Sequence, residues 1–69
     1  MIKLTGEELK QLRMKYGVTQ AELAWELGYK TKGEANRSVI SRWENGRQDI
    51  SKRAQQALWG FFYMKSGNF

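Results

Sequence analysis

Residues 36–45 carry side chains whose types and spacing suit hydrogen bonding to the edges of nucleic-acid bases. At about 100° per residue on a helix, Ile40 and Trp43 fall on one side of this segment and form an apolar face. The opposite face is polar or cationic, with Arg37 at its margin, and it comprises Ser38, Ser41, Arg42 and Asn45. Arginine can donate two parallel hydrogen bonds to O6 and N7 of guanine, so this face is a candidate for base reading. The alternative is an ordinary amphipathic surface helix.

A second group of side chains suits phosphate binding. Gln20 begins a predicted helix, where backbone N–H groups lack intrahelical partners and the helix dipole is positive. These groups and the glutamine amide can hold a phosphate. Asn45 and the loop residue Arg47 can do the same at the other end of the unit. Alternatively, Gln20 is a solvated first-turn residue and Asn45 is a helix C-cap.

The charge of the chain is concentrated in one segment. The 69 residues have a formal net charge of +5, from 12 Lys and Arg against 7 Asp and Glu. Residues 1–29 are neutral overall, whereas residues 30–53 carry seven cations against three anions. A positive field in one segment is the footprint expected of a protein that binds a polyanion. A solvated basic surface is the alternative, but the proximity to residues 36–45 favours nucleic acid.

The composition excludes several classes of function. Cysteine and histidine are both absent, which removes the commonest zinc ligands and activated nucleophiles. We therefore expect no metal, no cofactor and no enzymatic activity. No apolar run approaches the roughly 20 residues of a membrane span, and the N-terminus lacks a signal-peptide pattern, which predicts a cytoplasmic protein. The chain has no room for a ligand-sensing domain, so we expect no small-molecule ligand.

Helix boundaries can be predicted from capping boxes and glycines. The pattern Thr-x-x-Glu marks a helix start because the two residues satisfy each other's backbone N–H groups. Such boxes begin at Thr5, Thr19 and Thr31. Glycines, which favour the position after a helix C-terminus, follow the first two helices at Gly17 and Gly28.

The last two helices are predicted in the same way. The third helix ends at Asn45-Gly46, and Asn36 is a rival to Thr31 as its start. Ser51 caps the last helix, which is predicted over residues 51–65. The pattern contains no strand signal. Residues 1–69 are therefore predicted to form a single all-α domain of four helices, or five if the last segment divides.

Together these motifs resemble the Cro/CI-type helix-turn-helix family, the lambda-repressor-like DNA-binding fold also called XRE-like. The resemblance covers roughly residues 5–58. It rests on Leu12-Arg13 with Gly17, on Thr19-Gln20-x-Glu22-Leu23-Ala24 with Leu27-Gly28, and on Ile40-Ser41-Arg42-Trp43-Glu44-Asn45-Gly46. It implies a sequence-specific DNA-binding domain whose third helix lies in the major groove.

The resemblance also implies roles for individual residues. Base contacts map to the outer face of the third helix, at Arg37, Ser38, Ser41 and Arg42. With the lysines of the turn added, the predicted phosphate contacts are Thr19, Gln20, Lys30, Lys32, Asn36, Asn45 and Arg47. Arg13 and Glu44 occupy positions that the family pairs in a structural salt bridge.

The sequence departs from the family pattern mainly between the second and third helices. Residues 29–35 form a turn that is several residues longer than usual. Either a longer loop or an early start of the third helix at Thr31 accommodates them, with Lys30 and Lys32 near the DNA backbone. Two further departures are Ile50, where the family often has proline, and the apparent lack of a separate fifth helix.

The last helix carries two apolar stripes. Ala54, Ala57, Leu58, Phe61 and Met64 face the predicted core, whereas a second stripe faces roughly the other way. An exposed aromatic patch is unusual on a monomer, and aromatic residues are enriched in interfaces. We therefore predict a homodimer through Trp59, Phe62, Tyr63 and Phe69. The alternative is that Trp59 and Tyr63 lie flat over the first helix.

The sequence thus predicts a DNA-binding transcription regulator, a phage or bacterial repressor that binds an inverted-repeat operator as a dimer. The alternative is an antitoxin or antirepressor-type protein-interaction module. The aromatic C-terminus favours that alternative, and the cationic outer face of the third helix disfavours it.

Overall fold

The computed structural model describes residues 3–67, which are mainly helical. The elements in chain order are α1 (Gly6–Lys15), α2 (Gln20–Glu26), β1 (Lys30–Thr31), β2 (Glu34–Ala35), α3 (Arg37–Glu44) and α4 (Lys52–Lys65). Phe69, which was assigned to a dimer interface, lies outside the described residues. Between residues 3 and 67, no helix has the length and apolar character needed to cross a membrane.

The helices begin where the capping residues predict. The Thr5 hydroxyl accepts a hydrogen bond from the Glu8 N–H at 3.1 Å, and the Glu8 carboxylate accepts one from the Thr5 N–H at 3.0 Å. Thr19 and Glu22 form the same reciprocal pair at the start of α2. Ser51 caps α4 through its side chain. The predicted starts of these three helices are therefore confirmed.

The core is one apolar cluster to which every helix contributes. Its largest fully buried side chains are Leu9 from α1, Leu23 from α2, Ile40 from α3 and Leu58 from α4. Trp43 is also buried, and its ring meets the Tyr29 ring edge to face with centroids 5.4 Å apart. The inner face of α3 is thus fixed in the core, which leaves its opposite face at the surface.

The all-α prediction is wrong between α2 and α3, where residues 30–35 form a β-hairpin. Lys30 pairs with Ala35 and Thr31 pairs with Glu34 in an antiparallel register. The two turn residues, Lys32 and Gly33, have φ angles of 53° and 80°. Positive φ at both central positions is typical of a type I′ turn and is incompatible with a right-handed helix. The Thr31 capping box therefore does not form, and α3 begins at Arg37.

The stripes predicted on α4 are rotated relative to the observed core. Phe62, predicted on the exposed face, is only 4% exposed, and its ring stacks on Tyr16, the C-cap of α1, with centroids 6.0 Å apart. Phe62 is therefore a core residue and is removed from the predicted dimer interface. Conversely, Met64 is 61% exposed, although it was predicted to face the core. The stacking of Phe62 on Tyr16 fixes this rotation.

A buried glutamine ties the N-terminal segment to α4. The Gln55 side chain accepts a hydrogen bond from the Leu4 N–H and donates one to the Leu4 carbonyl oxygen, both at 2.7 Å. Both residues are buried, so these two bonds satisfy backbone groups that water does not reach. The sequence analysis missed this contact because a single glutamine on a helix has no distinctive local pattern.

Gly6 allows α1 to approach the C-terminal end of α3 closely. A Cβ atom at Gly6 would overlap the carbonyl oxygen of Trp43 and would lie 3.2 Å from the Glu44 Cα. We expect Gly6→Ala to lower the free energy of unfolding by about 1–3 kcal/mol, as overpacking does, although alanine is the better helix former. Gly60 in α4 has open space around its Cβ position, so Gly60→Ala should instead raise stability by about 1 kcal/mol. Urea unfolding of both variants tests the contrast, and equal effects would contradict it.

Candidate nucleic-acid interface

Three helices meet at the carboxylate of Glu44, at the end of α3. Arg13 in α1 donates two hydrogen bonds to it, from Nε to Oε2 at 2.7 Å and from Nη2 to Oε1 at 3.1 Å. Gln20 in α2 donates a third, from Nε2 to Oε1 at 3.2 Å. Arg13 also donates from Nη1 to the Val18 carbonyl oxygen at 3.1 Å. These contacts hold α3 in a defined orientation on α1 and α2.

The ion pair between Arg13 and Glu44 is largely removed from solvent. The two side chains are 15% and 5% exposed, respectively. Hydrogen bonding to Glu44 raises the pKa of the Arg13 guanidinium, and desolvation opposes this by a smaller amount. Glu44 is the only acidic residue of α3, and it points into this contact. The outer face of α3 therefore carries no anionic side chain.

The predicted base contacts share that outer face. Arg37, Ser38 and Arg42 are exposed, and Ser41 is half-buried. Arg37 also lines an open depression with Thr19 and Gln20. The start of α2 and the first turn of α3 thus present their polar side chains to the same region of the surface.

A chain of hydrogen bonds crosses the outer face of α3 and holds Arg42. The Ser38 hydroxyl donates to Asn36 Oδ1 at 2.6 Å and accepts from Arg42 Nη1 at 3.5 Å. On its other side, Arg42 donates from Nε to Gln48 Oε1 at 2.9 Å. The guanidinium is held at Nε and more weakly at Nη1, and its Nη2 group has no partner within residues 3–67. A side chain ordered in this way loses less conformational entropy when it binds a base.

Gln48 is the residue of this site that the sequence analysis missed. It lies in the irregular segment after α3, where helical periodicity gives no information about the direction of a side chain. Asn36 was predicted to bind phosphate, but its Oδ1 accepts the Ser38 hydrogen bond, and its side chain makes no capping hydrogen bond to α3.

Other predicted phosphate contacts lie at the edges of this face. Asn45 donates from Nδ2 to the Ser41 hydroxyl at 3.2 Å, and both Asn45 and Arg47 are exposed just beyond α3. The Thr19 hydroxyl oxygen accepts the α2 capping hydrogen bond. The Gln20 amide has a second hydrogen beyond the one it donates to Glu44.

The two lysines of the hairpin have different surroundings. The Lys30 ammonium lies over the Trp25 ring, 4.1 Å from its centroid, which is a cation–π contact. Lys32 is exposed at the hairpin tip and makes no ion pair or ring contact within the described part of the chain. Lys30 and Lys32 therefore lie in different surroundings, one against an aromatic ring and the other exposed at the hairpin tip.

Comparison with known proteins assigns most of the chain to a family. A family model described as a helix-turn-helix domain matches residues 5–59. The match extends from the cap of α1 through the hairpin and α3 into α4. No curated protein and no solved structure gave a significant match.

Proposed function

Because the chain belongs to the helix-turn-helix family of DNA-binding domains, we propose that it is a sequence-specific transcription regulator that reads double-stranded DNA through α3. Within this proposal, it is a Cro/CI-type repressor of a phage or bacterium. It acts in the cytoplasm by occupying an operator, with no catalytic step and no small-molecule ligand. The observation that carries the proposal is the outer face of α3, which is exposed, cationic and without an anionic side chain.

In the proposed complex, α3 lies in the major groove and Arg42 is the principal base contact. Its Nη1 and Nη2 groups form the edge that suits a guanine, while Nε remains on Gln48. Arg37, Ser38 and Ser41 are the remaining proposed base contacts. Serine can donate to or accept from several base edges, so these positions add specificity around Arg42.

Phosphate contacts in this proposal fix the position of α3 in the groove. Thr19 and Gln20 line the depression beside Arg37, and Asn45 and Arg47 are exposed just beyond the C-terminal end of α3. Asn36 takes part through its side-chain amide nitrogen, which has no hydrogen-bond partner among residues 3–67. Contacts of this kind position a protein on DNA without reading sequence.

The proposed repressor binds as a dimer through α4. Tyr63 is 54% exposed, and Trp59 is half-buried on the neighbouring side of the helix. A two-fold dimer would present its two α3 helices about 34 Å apart, and would therefore read an inverted repeat. Sedimentation velocity at micromolar concentration is expected to show a dimer on operator DNA. A single protomer bound at saturation would contradict this part of the proposal.

Selection of bound duplexes from a random pool tests the function directly. We expect enrichment of an inverted repeat with half-sites about one helical turn apart. Binding to random duplex DNA should also weaken linearly in a plot of log K against log salt concentration. If neither enrichment nor salt-dependent binding is observed, the proposed function is wrong.

A protein-interaction module, such as an antitoxin or antirepressor, is the alternative. Large apolar side chains that remain exposed on α2 and α4, at Trp25, Tyr63 and Met64, favour it. In that case the fold would support a partner-binding surface. The salt titration with random duplex DNA separates the two functions, because a module of this kind has no requirement to bind DNA.

A further inference from the structure

The hairpin formed by residues 30–35 is attached directly to the start of α3. The Asn36 N–H donates to the Tyr29 carbonyl oxygen at 2.7 Å and closes the base of the hairpin. Arg37, the next residue, begins α3. The position of the hairpin is therefore coupled to the end of α3 that carries Arg37 and Ser38.

Lys32 occupies an unfavourable backbone conformation at the hairpin tip. Its φ of 53° makes it the only described residue other than glycine with positive φ. Residues with a Cβ atom disfavour this conformation because of steric contact with the backbone. Asparagine or glycine is preferred at this position of a type I′ turn. The chain thus places a cation where an uncharged residue would give a more stable turn, which indicates a role for the charge.

The contacts of the two hairpin lysines assign them different roles. Lys30 packs its ammonium on Trp25 and so fastens the hairpin to α2. Lys32 is exposed and has no such contact within residues 3–67. Lys32 therefore has the ammonium that a ligand can approach without displacing a ring contact.

The hairpin is long enough to span the distance from the first turn of α3 to the edge of a DNA groove. Lys32 and Gly33 are two to three residues beyond the hairpin base, which at about 3.3 Å per residue places them roughly 7–10 Å from it. The major groove is about 12 Å wide. A cation at this distance from the first turn of α3 can meet the phosphates that border the groove.

We propose that the hairpin is a second DNA-binding element, in which Lys32 contacts a backbone phosphate beside the groove occupied by α3. This inference rests on the proposed function. It lengthens the footprint of each protomer without adding a base contact. It also revises the sequence prediction, because Lys30 becomes a structural residue.

The substitution Lys32→Asn separates the charge from the structure of the hairpin. Asparagine tolerates positive φ better, so the variant should melt at the same temperature as the parent or higher. For each protomer, the contribution to DNA affinity should fall about eightfold at 0.1 M salt, and the salt slope should decrease by about 0.9. The loss should be equal on selected and random duplexes, because a phosphate contact carries no sequence information.

Two matched variants control for other effects. Lys32→Arg keeps the charge and should retain the affinity and the slope. Lys10→Asn makes the same change at an exposed position of α1 and should leave both unchanged. An unaltered slope in Lys32→Asn, while Arg42→Ala loses binding, would overturn the hairpin proposal and leave the proposed function standing. A loss confined to the selected duplex would also overturn it. If the parent protein shows no salt-dependent DNA binding, the proposed function itself fails.

Discussion

Replacing Glu44 with alanine is expected to lower the free energy of unfolding by about 3 kcal/mol, the lower end for a broken buried ion pair because Arg13 keeps 15% exposure. The carboxylate accepts hydrogen bonds from both Arg13 and Gln20. Its removal leaves a guanidinium largely buried without a counterion. In a domain of this size, the melting temperature should fall by about 12–24 °C. Thermal and urea unfolding, followed by circular dichroism, measure the loss.

Two further variants show whether the loss comes from this contact. Glu26→Ala removes an exposed carboxylate from α2 and should change stability by less than about 0.5 kcal/mol. The double variant Arg13→Ala/Glu44→Ala should cost less than the sum of the two single variants, because neither charge is then left alone. Additive losses would mean that the two side chains contribute independently.

Replacing Arg42 with alanine is expected to weaken binding to the selected DNA site by about 1–3 kcal/mol per half-site, or roughly 5- to 150-fold. Arg42 is exposed, ordered by Gln48 and Ser38, and central on the outer face of α3. The preference at one base pair per half-site should disappear. Stability should change little, since the side chain is exposed. Fluorescence titration with the selected duplex and with its single-base variants measures both effects.

Arg53→Ala is the matched control for Arg42. It removes the same charge from an exposed position in the first turn of α4, beside Leu27 and Tyr29. It should leave base preference unchanged. Arg42→Lys keeps the charge but loses the two-pronged geometry, so it should lose the preference and keep the salt slope. If Arg42→Ala leaves affinity and preference unaltered, the outer face of α3 has been assigned the wrong role.

Gln48→Ala removes the side chain that accepts a hydrogen bond from Arg42 Nε, and so tests whether the ordering of Arg42 contributes to affinity. Gln48 is uncharged, so the salt slope should stay the same. Affinity for the selected site should fall, by less than in Arg42→Ala, because Arg42 must then be ordered on binding. A changed salt slope would mean that Gln48 affects DNA binding in some way other than by ordering Arg42.

The sequence predicted some parts of the fold well because their causes are local. The capping boxes at Thr5 and Thr19 involve residues three apart, and both form as expected. The inward direction of Ile40 and Trp43 follows from the spacing of apolar residues, and both are buried. The polar outer face of α3 followed from the same periodicity.

Other parts could not be predicted because contacts between distant residues decide them. Phe62 is buried since α4 is rotated to stack it on Tyr16, the C-cap of α1. The hairpin depends on two positive φ angles, one of them at a lysine, a residue type that rarely adopts that conformation. Thr31 and Glu34 suited both a capping box and a strand pair, and the strand pair formed.

The sequence alone determined where α1, α2 and α4 begin, which face of α3 is polar and where the positive charge is concentrated. These features depend on hydrogen bonds and spacings within a few residues. The tertiary structure decided how α3 is held, through Arg13, Gln20 and Glu44, and it placed Gln48 beside Arg42. It also gave the two hairpin lysines different surroundings. Such contacts join segments far apart in the chain, and their energies depend on how the helices pack against one another.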